Sequence, residues 1–143
     1  MVFITNNTEE TKEIGYKLAE MLDGKDSKYI ALRGEMGVGK TVFTSGFASY
    51  FSISGIKSPT YTIMNEHRGK ATIYHFDMYR IGDEDDLYSI GYDDYIEKDA
   101  YSIVEWSENI ENFIPDNAVF VTIERCPNEE NKRKITIDLR EEA

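Results

Sequence analysis

The most informative segment of this chain is residues 34–41, Gly34-Glu35-Met36-Gly37-Val38-Gly39-Lys40-Thr41. It matches the pattern G-x-x-x-x-G-K-[ST] in full, which is the signature of a phosphate-binding P-loop. Glycines let the backbone turn tightly and bring its N–H groups towards an anion, and a helix that begins at the loop adds a favourable dipole. Lys40 places a compact positive charge on the outer phosphates, and the Thr41 hydroxyl is suited to hold Mg²⁺. The stretch therefore predicts a nucleotide-binding loop.

Both flanks of the loop fit this prediction. Residues 28–32 are nearly all apolar, as in a strand that is buried on both faces of a central sheet. A helix is predicted from the loop to about Phe51. Upstream, residues 2–5 predict a strand, and residues 7–10 have the spacing of a capping box before a helix that Gly24 ends. The loop thus lies between a buried strand and a helix, as phosphate binding requires.

The rest of the chain alternates between strand and helix patterns. Arg68-Gly69 predicts a hairpin turn, Gly91 stops one short helix, and Ser107 is a candidate cap for another. The predicted strands cover residues 60–67, 70–77, 101–106, 119–124 and 134–139, and a short helix covers residues 83–90. We therefore predict an α/β fold, a single P-loop NTPase-like domain over residues 1–143 in which helices flank a mixed central β-sheet.

Composition and charge narrow the class of protein. The 143 residues are 41% apolar and carry a net charge of −11, with acids in runs such as 83–86 that are read as solvated helix starts. A protein that grips nucleic acid directly needs a basic face, so DNA is not expected as a partner. No apolar run could span a bilayer, the first residues lack a signal-peptide pattern, and Cys126 is the only cysteine. These features predict a cytoplasmic protein with no membrane partner.

Two acids come at the ends of predicted strands, Asp77 and Glu105. Ligands bind where the strands of α/β sheets end, so both acids are candidates to organise a metal ion and an attacking water. Pairing with a nearby Lys or Arg is the alternative for each. His75 is read as a packed or hydrogen-bonding residue in preference to a catalytic partner of Asp77. Arg80 either reaches a phosphate or pairs with the acids at 83–86, which is the favoured interpretation.

Four blocks of sequence resemble the TsaE (YjeE) family, the ATPase component of bacterial tRNA threonylcarbamoyladenosine biosynthesis. The P-loop is shared by very many proteins, whereas the His-Phe-Asp-x-Tyr-Arg block together with the Glu-Trp pair is far more specific. Order and spacing match along most of the chain, and the segment beyond about Asn117 carries little that is diagnostic. The blocks are residues 34–41, Ser58-Pro59-Thr60-Tyr61-Thr62, His75-Phe76-Asp77-Met78-Tyr79-Arg80 and Val104-Glu105-Trp106.

The resemblance implies roles for individual residues. Lys40, Asp77 and Glu105 would be the catalytic set, with Asp77 orienting water or metal. Mg²⁺ would be held by Thr41, Glu105 and Asp77. Thr60 would sense the terminal phosphate of ATP from a switch segment, for which a simple turn into a strand is the alternative. The residues that contact ATP would be Gly34, Glu35, Met36, Gly37, Val38, Gly39, Lys40, Thr41, Val42, Thr8 and Thr60.

The resemblance also implies a function for the whole protein. It would hydrolyse ATP with Mg²⁺ slowly when alone and would support TsaB and TsaD, of which TsaD modifies an adenosine next to the anticodon. Contact with tRNA would then be indirect, through the complex. Trp106 matches the family's tryptophan, with a core aromatic as the alternative. The base and ribose would lie near Thr8 and the last hairpin.

Two other classes of function remain open on the sequence. A small-molecule P-loop kinase usually carries an arginine-rich lid, and the arginines beyond the loop form no obvious lid pair. A guanine-specific switch module usually carries Asn-Lys-x-Asp, and Asn131-Lys132-Arg133-Lys134 has Lys in place of the Asp. Adenine is therefore the better expectation. The arginines beyond the loop are Arg68, Arg80, Arg125, Arg133 and Arg140.

Overall fold

A computed structural model describes residues 1–60 and 62–139, so Tyr61 of the second family block and Arg140 lie outside the described residues. Seven strands form one mixed sheet, packed against four α-helices and a 3-10 helical segment, Ser107–Phe113. The elements are β1 (Val2–Thr5), α1 (Thr8–Leu22), β2 (Tyr29–Arg33), α2 (Lys40–Tyr50), β3 (Met64–Arg68), β4 (Thr72–Asp77), α3 (Glu84–Ser89), α4 (Tyr92–Ile96), β5 (Tyr101–Glu105), β6 (Val119–Cys126) and β7 (Glu129–Asp138).

The order of the strands places the loop near the centre of the sheet. The order is β1-β7-β6-β2-β5-β4-β3, and the four middle strands β6, β2, β5 and β4 are parallel. Antiparallel strands flank this parallel core on both sides. The carboxyl ends of β2, β4 and β5 meet at one edge, where ligands bind in sheets of this type. The predicted fold, α/β with a mixed central sheet flanked by helices, is confirmed.

The two faces of the sheet are covered by different helices because side chains alternate along each strand. Ile30 and Leu32 of β2 pack in the cluster that contains α1 and α2. Tyr29 and Ala31 pack on the other face, in the cluster that contains Leu87 of α3. The apolar run of β2 is therefore buried on both faces, as the sequence predicts.

Helices α1 and α2 cross at two glycines. A Cβ atom at Gly46 would lie 1.9 Å from the carbonyl oxygen of Lys12, and one at Gly15 would lie 2.1 Å from the carbonyl oxygen of Phe43. Real Cβ atoms do not approach backbone so closely, so the crossing needs glycine on both helices. The crossing fixes α1, which starts beside the P-loop, against the helix that the loop begins.

The structure differs from the sequence predictions at three places. The strand predicted from residue 60 begins only at Met64, since Ile63 lies at φ 69° and donates its N–H to the Pro59 carbonyl at 2.8 Å. Gly91 does stop α3, which ends at Ser89, but at φ 74° it also precedes a second short helix, α4, that is not predicted from the sequence. Ser107 is not a cap: Trp106 occupies that position at φ 56°, and the Ser107 hydroxyl accepts from Arg33 Nε at 3.2 Å.

Candidate nucleotide site

The P-loop runs from the end of β2 into α2 through glycines in conformations that other residues avoid. Gly37 and Gly39 lie at φ 75° and 121°, in the region that strains L side chains. Gly34 lies at φ 155°, and a Cβ there would come within 2.8 Å of the Ile123 carbonyl oxygen of β6. The loop therefore depends on glycine for its turns and for its close contact with the neighbouring strand.

Lys40, the first residue of α2, points into the cleft beside the loop. Its side chain is only 6% exposed. Its Nζ donates to the Gly34 carbonyl at 2.8 Å, lies 3.9 Å from Glu105 Oε1 and lies 4.5 Å from the centre of the Trp106 ring. Burial lowers the pKa of Lys40, and the nearby carboxylates of Glu105 and Asp77 oppose that shift. The ammonium group is thus held where it meets both acids and the loop.

The two predicted acids lie side by side. Asp77 and Glu105 end the parallel strands β4 and β5 in direct register, and both are about 95% buried, with exposures of 5% and 4%. Asp77 Oδ1 accepts from the backbone N–H of Tyr79 at 2.9 Å, and Glu105 Oε2 bonds to His75 Nε2 at 2.5 Å. Asp77 is therefore oriented by the turn that follows β4, and Glu105 is oriented by a residue of β4 itself.

One cleft of about 270 Å³ brings most of the predicted residues together. It runs along the P-loop and the start of α2, past the ends of β4 and β5, to the segment around Thr60. Tyr79 and Trp106 form its aromatic wall, with ring centres 5.0 Å apart. Trp106 is half-buried: its ring lines the cleft and also packs against the apolar cluster on the α3 side of the sheet. The lining residues are Met36, Gly37, Gly39, Lys40, Thr41, Val42, Ser58, Thr60, Asp77, Tyr79, Glu105 and Trp106.

A smaller cavity of about 150 Å³ lies on another side of the loop, between the start of α1 and β7. Thr8 from the N-terminal turn and Asn131 from the last hairpin both line it, as do Val38 and Val42 of the loop and its helix. The structure thus brings together the two distant segments that the family resemblance associates with base and ribose. Gly34 and Glu35 line a third cleft of about 550 Å³ between the loop and β6.

The segment around Thr60 is tied to the site by backbone and side-chain bonds. The hydroxyls of Ser58 and Thr60 lie 2.6 Å apart, and Arg80 Nη2 donates to the Thr60 carbonyl at 2.6 Å. Neither sequence interpretation of Arg80 anticipated this contact. The Asp77 N–H donates to the Ile63 carbonyl at 2.8 Å. Thr60 and Ile63 are thus connected to Arg80 and to Asp77, the acid at the end of β4.

Sequence reasoning missed two arginines that hold the outer side of the loop. Arg133 Nε donates to the Val38 carbonyl at 2.7 Å, and Arg125 donates to Glu35 Oε2 at 3.0 Å and to the Met36 carbonyl at 3.3 Å. In a trans peptide, the carbonyl and the N–H of the next residue point in opposite directions. Because the two arginines bind carbonyls on the outer side of the loop, they favour a loop conformation in which N–H groups point inwards, where a phosphate would bind. No local signal marks them, because both come from the last hairpin.

The oxygen groups near Lys40 suit a hard cation. Thr41, Asp77 and Glu105 line the same cleft. Mg²⁺ prefers oxygen ligands, keeps several waters and is usually held by one or two carboxylates together with substrate phosphates. The described residues contain no group of three or more His, Cys, Asp or Glu that could hold a metal by themselves. The donor set therefore fits a Mg²⁺ ion that binds together with a nucleotide.

The fold and the loop geometry define an α/β protein of the P-loop NTPase-like class. The family model "Threonylcarbamoyl adenosine biosynthesis protein TsaE" matches residues 5–135. The chain therefore belongs to the TsaE family of tRNA threonylcarbamoyladenosine biosynthesis, which confirms the resemblance seen in the sequence. Among the described residues, no helix is both long and apolar enough to cross a membrane.

Individual relatives agree with the family assignment. The TsaE protein of Bacillus subtilis is 38% identical over 134 residues, which is 92% of this chain and 81% of the relative. The TsaE protein of Haemophilus influenzae is 37% identical over 116 residues, or 77% and 73% of the two chains. A crystal structure of Bacillus subtilis YdiB superposes with a TM-score of 0.79 at 33% identity and covers 96% of this chain and 83% of that chain.

Proposed function

We propose that this protein binds and hydrolyses ATP with Mg²⁺ and thereby supports TsaB and TsaD in threonylcarbamoyladenosine modification of tRNA. The observation that carries the proposal is the convergence of Lys40, Asp77 and Glu105 on one cleft beside the P-loop. Thr41 lines the same cleft from the first turn of α2. Phosphate ligands, a cation and two acids are the parts that phosphoryl transfer to water requires.

The proposed mechanism relies on positioning and charge stabilisation. The loop N–H groups bind the phosphates, and Lys40 neutralises charge that develops on the terminal phosphoryl group. Asp77, already oriented by the Tyr79 N–H, holds the attacking water. When bound, Mg²⁺ would supply positive charge that stabilises the phosphates, and Thr41, Asp77 and Glu105 are the residues proposed to hold it.

Slow hydrolysis by the isolated protein follows from the positions of its arginines. Arg33 pairs with Glu111 at 2.8 Å, Arg125 pairs with Glu35, and Arg133 donates to the Val38 carbonyl. Each of these guanidinium groups near the loop already has partners within the chain. An arginine that stabilises transition-state charge typically accelerates such reactions about 10³-fold or more. We infer that TsaB or TsaD completes or orders the site.

The proposal also includes the cellular compartment in which the protein acts and the way in which it contacts tRNA. The protein acts in the cytoplasm, where tRNA is modified, and contacts tRNA only through its partners. Its net charge of −11 makes direct binding of RNA phosphates unfavourable and favours association with a basic, RNA-binding protein. Neither DNA nor a membrane is a proposed partner.

The decisive experiment is steady-state ATP turnover by the protein alone, with TsaB, and with TsaB and TsaD together. Turnover is expected to be slow alone and to rise roughly tenfold or more with the pair, because the partners complete the site. Turnover that ignores the pair would contradict the partnership. ADP release that depends instead on an added metabolite would favour the kinase class.

Charge reversal on α3 tests the acidic surface as the partner-binding face. Asp85 is exposed in the first turn of α3. Asp86 is unsuitable for the test, because its carboxylate accepts from the Gly82 N–H at 3.0 Å and thus holds the local backbone. Asp85→Lys is expected to weaken binding to TsaB–TsaD several-fold and to make that binding less dependent on salt.

The matched control for this prediction is Glu20→Lys, which makes the same change of charge on α1, on the opposite face of the sheet. Affinity measured by calorimetry between about 50 and 300 mM salt separates local attraction from the effect of net charge. Equal losses for both variants, or no loss for either, would exclude α3 as the contact face.

A further inference from the structure

His75 is the most deeply buried ionisable residue beside the candidate site. Its side chain is 0% exposed in the middle of β4. Its Nε2 atom lies 2.5 Å from Glu105 Oε2, and its Nδ1 atom is buried without a hydrogen-bond partner among the described residues. The one hydrogen bond of this buried side chain is made to the carboxylate of Glu105, and packing alone does not explain that choice of partner.

The geometry selects one tautomer of the imidazole ring. A carboxylate only accepts hydrogen bonds, so the short contact to Glu105 needs the proton on Nε2 of His75. A proton on Nδ1 would turn the bare Nε2 towards a carboxylate oxygen and would bury an N–H group that has no acceptor. His75 therefore donates through Nε2 to Glu105.

Because of this bond, the two carboxylate oxygens of Glu105 have different partners. Oε2 is engaged by His75, while Oε1 lies 3.9 Å from Lys40 Nζ and faces the cleft. A glutamate side chain has several rotatable bonds, so an unsupported carboxylate would lose the conformation that presents Oε1 to a ligand. Carboxylates that ligate metals are themselves held by hydrogen bonds from a surrounding shell.

We propose that His75 is a positioning residue that fixes the Glu105 carboxylate so that Oε1 faces a Mg²⁺ ion bound together with nucleotide. The inference rests on the proposed function of the same cleft. It predicts a specific pattern: loss of the His75 bond weakens the response to Mg²⁺ and leaves phosphate binding by the P-loop in place. A merely structural histidine would change stability without separating those two quantities.

The single tryptophan gives a direct reading of nucleotide and metal binding. Trp106 is the only Trp in the chain, follows Glu105 directly and lies with its ring 4.5 Å from Lys40 Nζ. Its fluorescence can be titrated with ADP without metal, and then with Mg²⁺ at saturating ADP. His75→Leu removes the donor, and His75→Gln restores an N–H donor of similar reach. The control is His67→Leu, on β3 opposite Ile73, which removes the only other histidine.

The expected result is a Mg²⁺ midpoint about tenfold higher for His75→Leu, as found when a supporting hydrogen bond to a metal ligand is lost. The affinity of His75→Leu for ADP without Mg²⁺ stays close to that of the unmodified protein. The Mg²⁺ midpoints of His75→Gln and His67→Leu are expected to equal that of the unmodified protein. An unchanged midpoint in His75→Leu would overturn the role of His75 alone. Absence of Mg²⁺-dependent ADP binding by the unmodified protein would overturn the proposed function and, with it, this inference.

A second measurement needs no variant. The chain has two histidines, so a long-range ¹⁵N–¹H spectrum of the imidazole rings contains two assignable patterns. His75 is expected to carry its proton on Nε2, with slow exchange against solvent because the ring is fully buried. A proton on Nδ1, or an Nε2 proton that exchanges rapidly, would show that the bond to Glu105 is absent and would overturn the proposal.

Discussion

Replacing Lys40 with alanine is expected to reduce ATP turnover, measured with TsaB and TsaD present, by about 100-fold or more. The Lys40 side chain is 6% exposed, and its ammonium group lies between the loop carbonyl of Gly34 and the carboxylate of Glu105. In such a site a charge acts with little screening by water, so no solvent molecule replaces its effect on the terminal phosphate. Nucleotide affinity is expected to fall as well, because Lys40 is proposed to bind the phosphates before as well as during the reaction.

The matched control is Lys17→Ala, which removes the same charge from the exposed face of α1. Steady-state turnover and ADP binding followed by Trp106 fluorescence are measured on both variants. Lys17→Ala should match the unmodified protein in both. Turnover in Lys40→Ala within about tenfold of the unmodified value would mean that the charge stabilisation assigned to Lys40 is made elsewhere.

Gly46→Ala is expected to lower the stability of the protein by about 3 kcal/mol, although alanine is the better helix former. Intrinsic propensity alone would stabilise α2 by roughly 1 kcal/mol. The change in stability is expected to have the opposite sign in this protein, because the new Cβ would lie 1.9 Å from the Lys12 carbonyl oxygen and would force α1 away from α2. For a chain of this size, that loss lowers the melting temperature by roughly 10 °C.

Thermal unfolding of Gly46→Ala is compared with that of Gly55→Ala. Gly55 lies at φ 74°, and no atom lies within 4 Å of the place that a Cβ would take, so alanine there adds backbone strain without overlap. The Gly55 variant should lose only about 1 kcal/mol. A Gly46 variant that is as stable as the original would show that the two helices do not cross as closely as described.

The fold was predictable where local sequence patterns favour the same conformation that packing requires. Residues 28–32 are apolar because β2 is buried on both faces, and the glycines of the loop mark a turn that no other residue makes easily. The prediction fails around Ile63, which has the composition of a strand but lies at φ 69°. There the bonds to Pro59 and Asp77 outweigh the β propensity of the side chain.

The candidate site was predictable for a related reason. Asp77 and Glu105 were identified because each ends an apolar strand, and strand ends in a parallel sheet meet at one edge. Contacts made across the sheet leave no such trace in the sequence. Nothing near His75 indicates that it bonds to Glu105, and nothing near Arg133 indicates that it bonds to the carbonyl of Val38. These partners are 30 and 95 residues apart in the chain.

The pairing of β1 with β7 affects how the chain folds while it is being synthesised on the ribosome. Within the described residues, the first strand, Val2–Thr5, pairs only with the last, Glu129–Asp138, and its Val2 and Ile4 side chains are more than half exposed. At about 5–20 residues per second, translation leaves β1 without its pairing partner for roughly ten seconds. Arg133 also reaches the P-loop only after β7 has been made. Pairing of β1 and support of the P-loop by Arg133 therefore depend on the same segment, and both form only after β7 has been made.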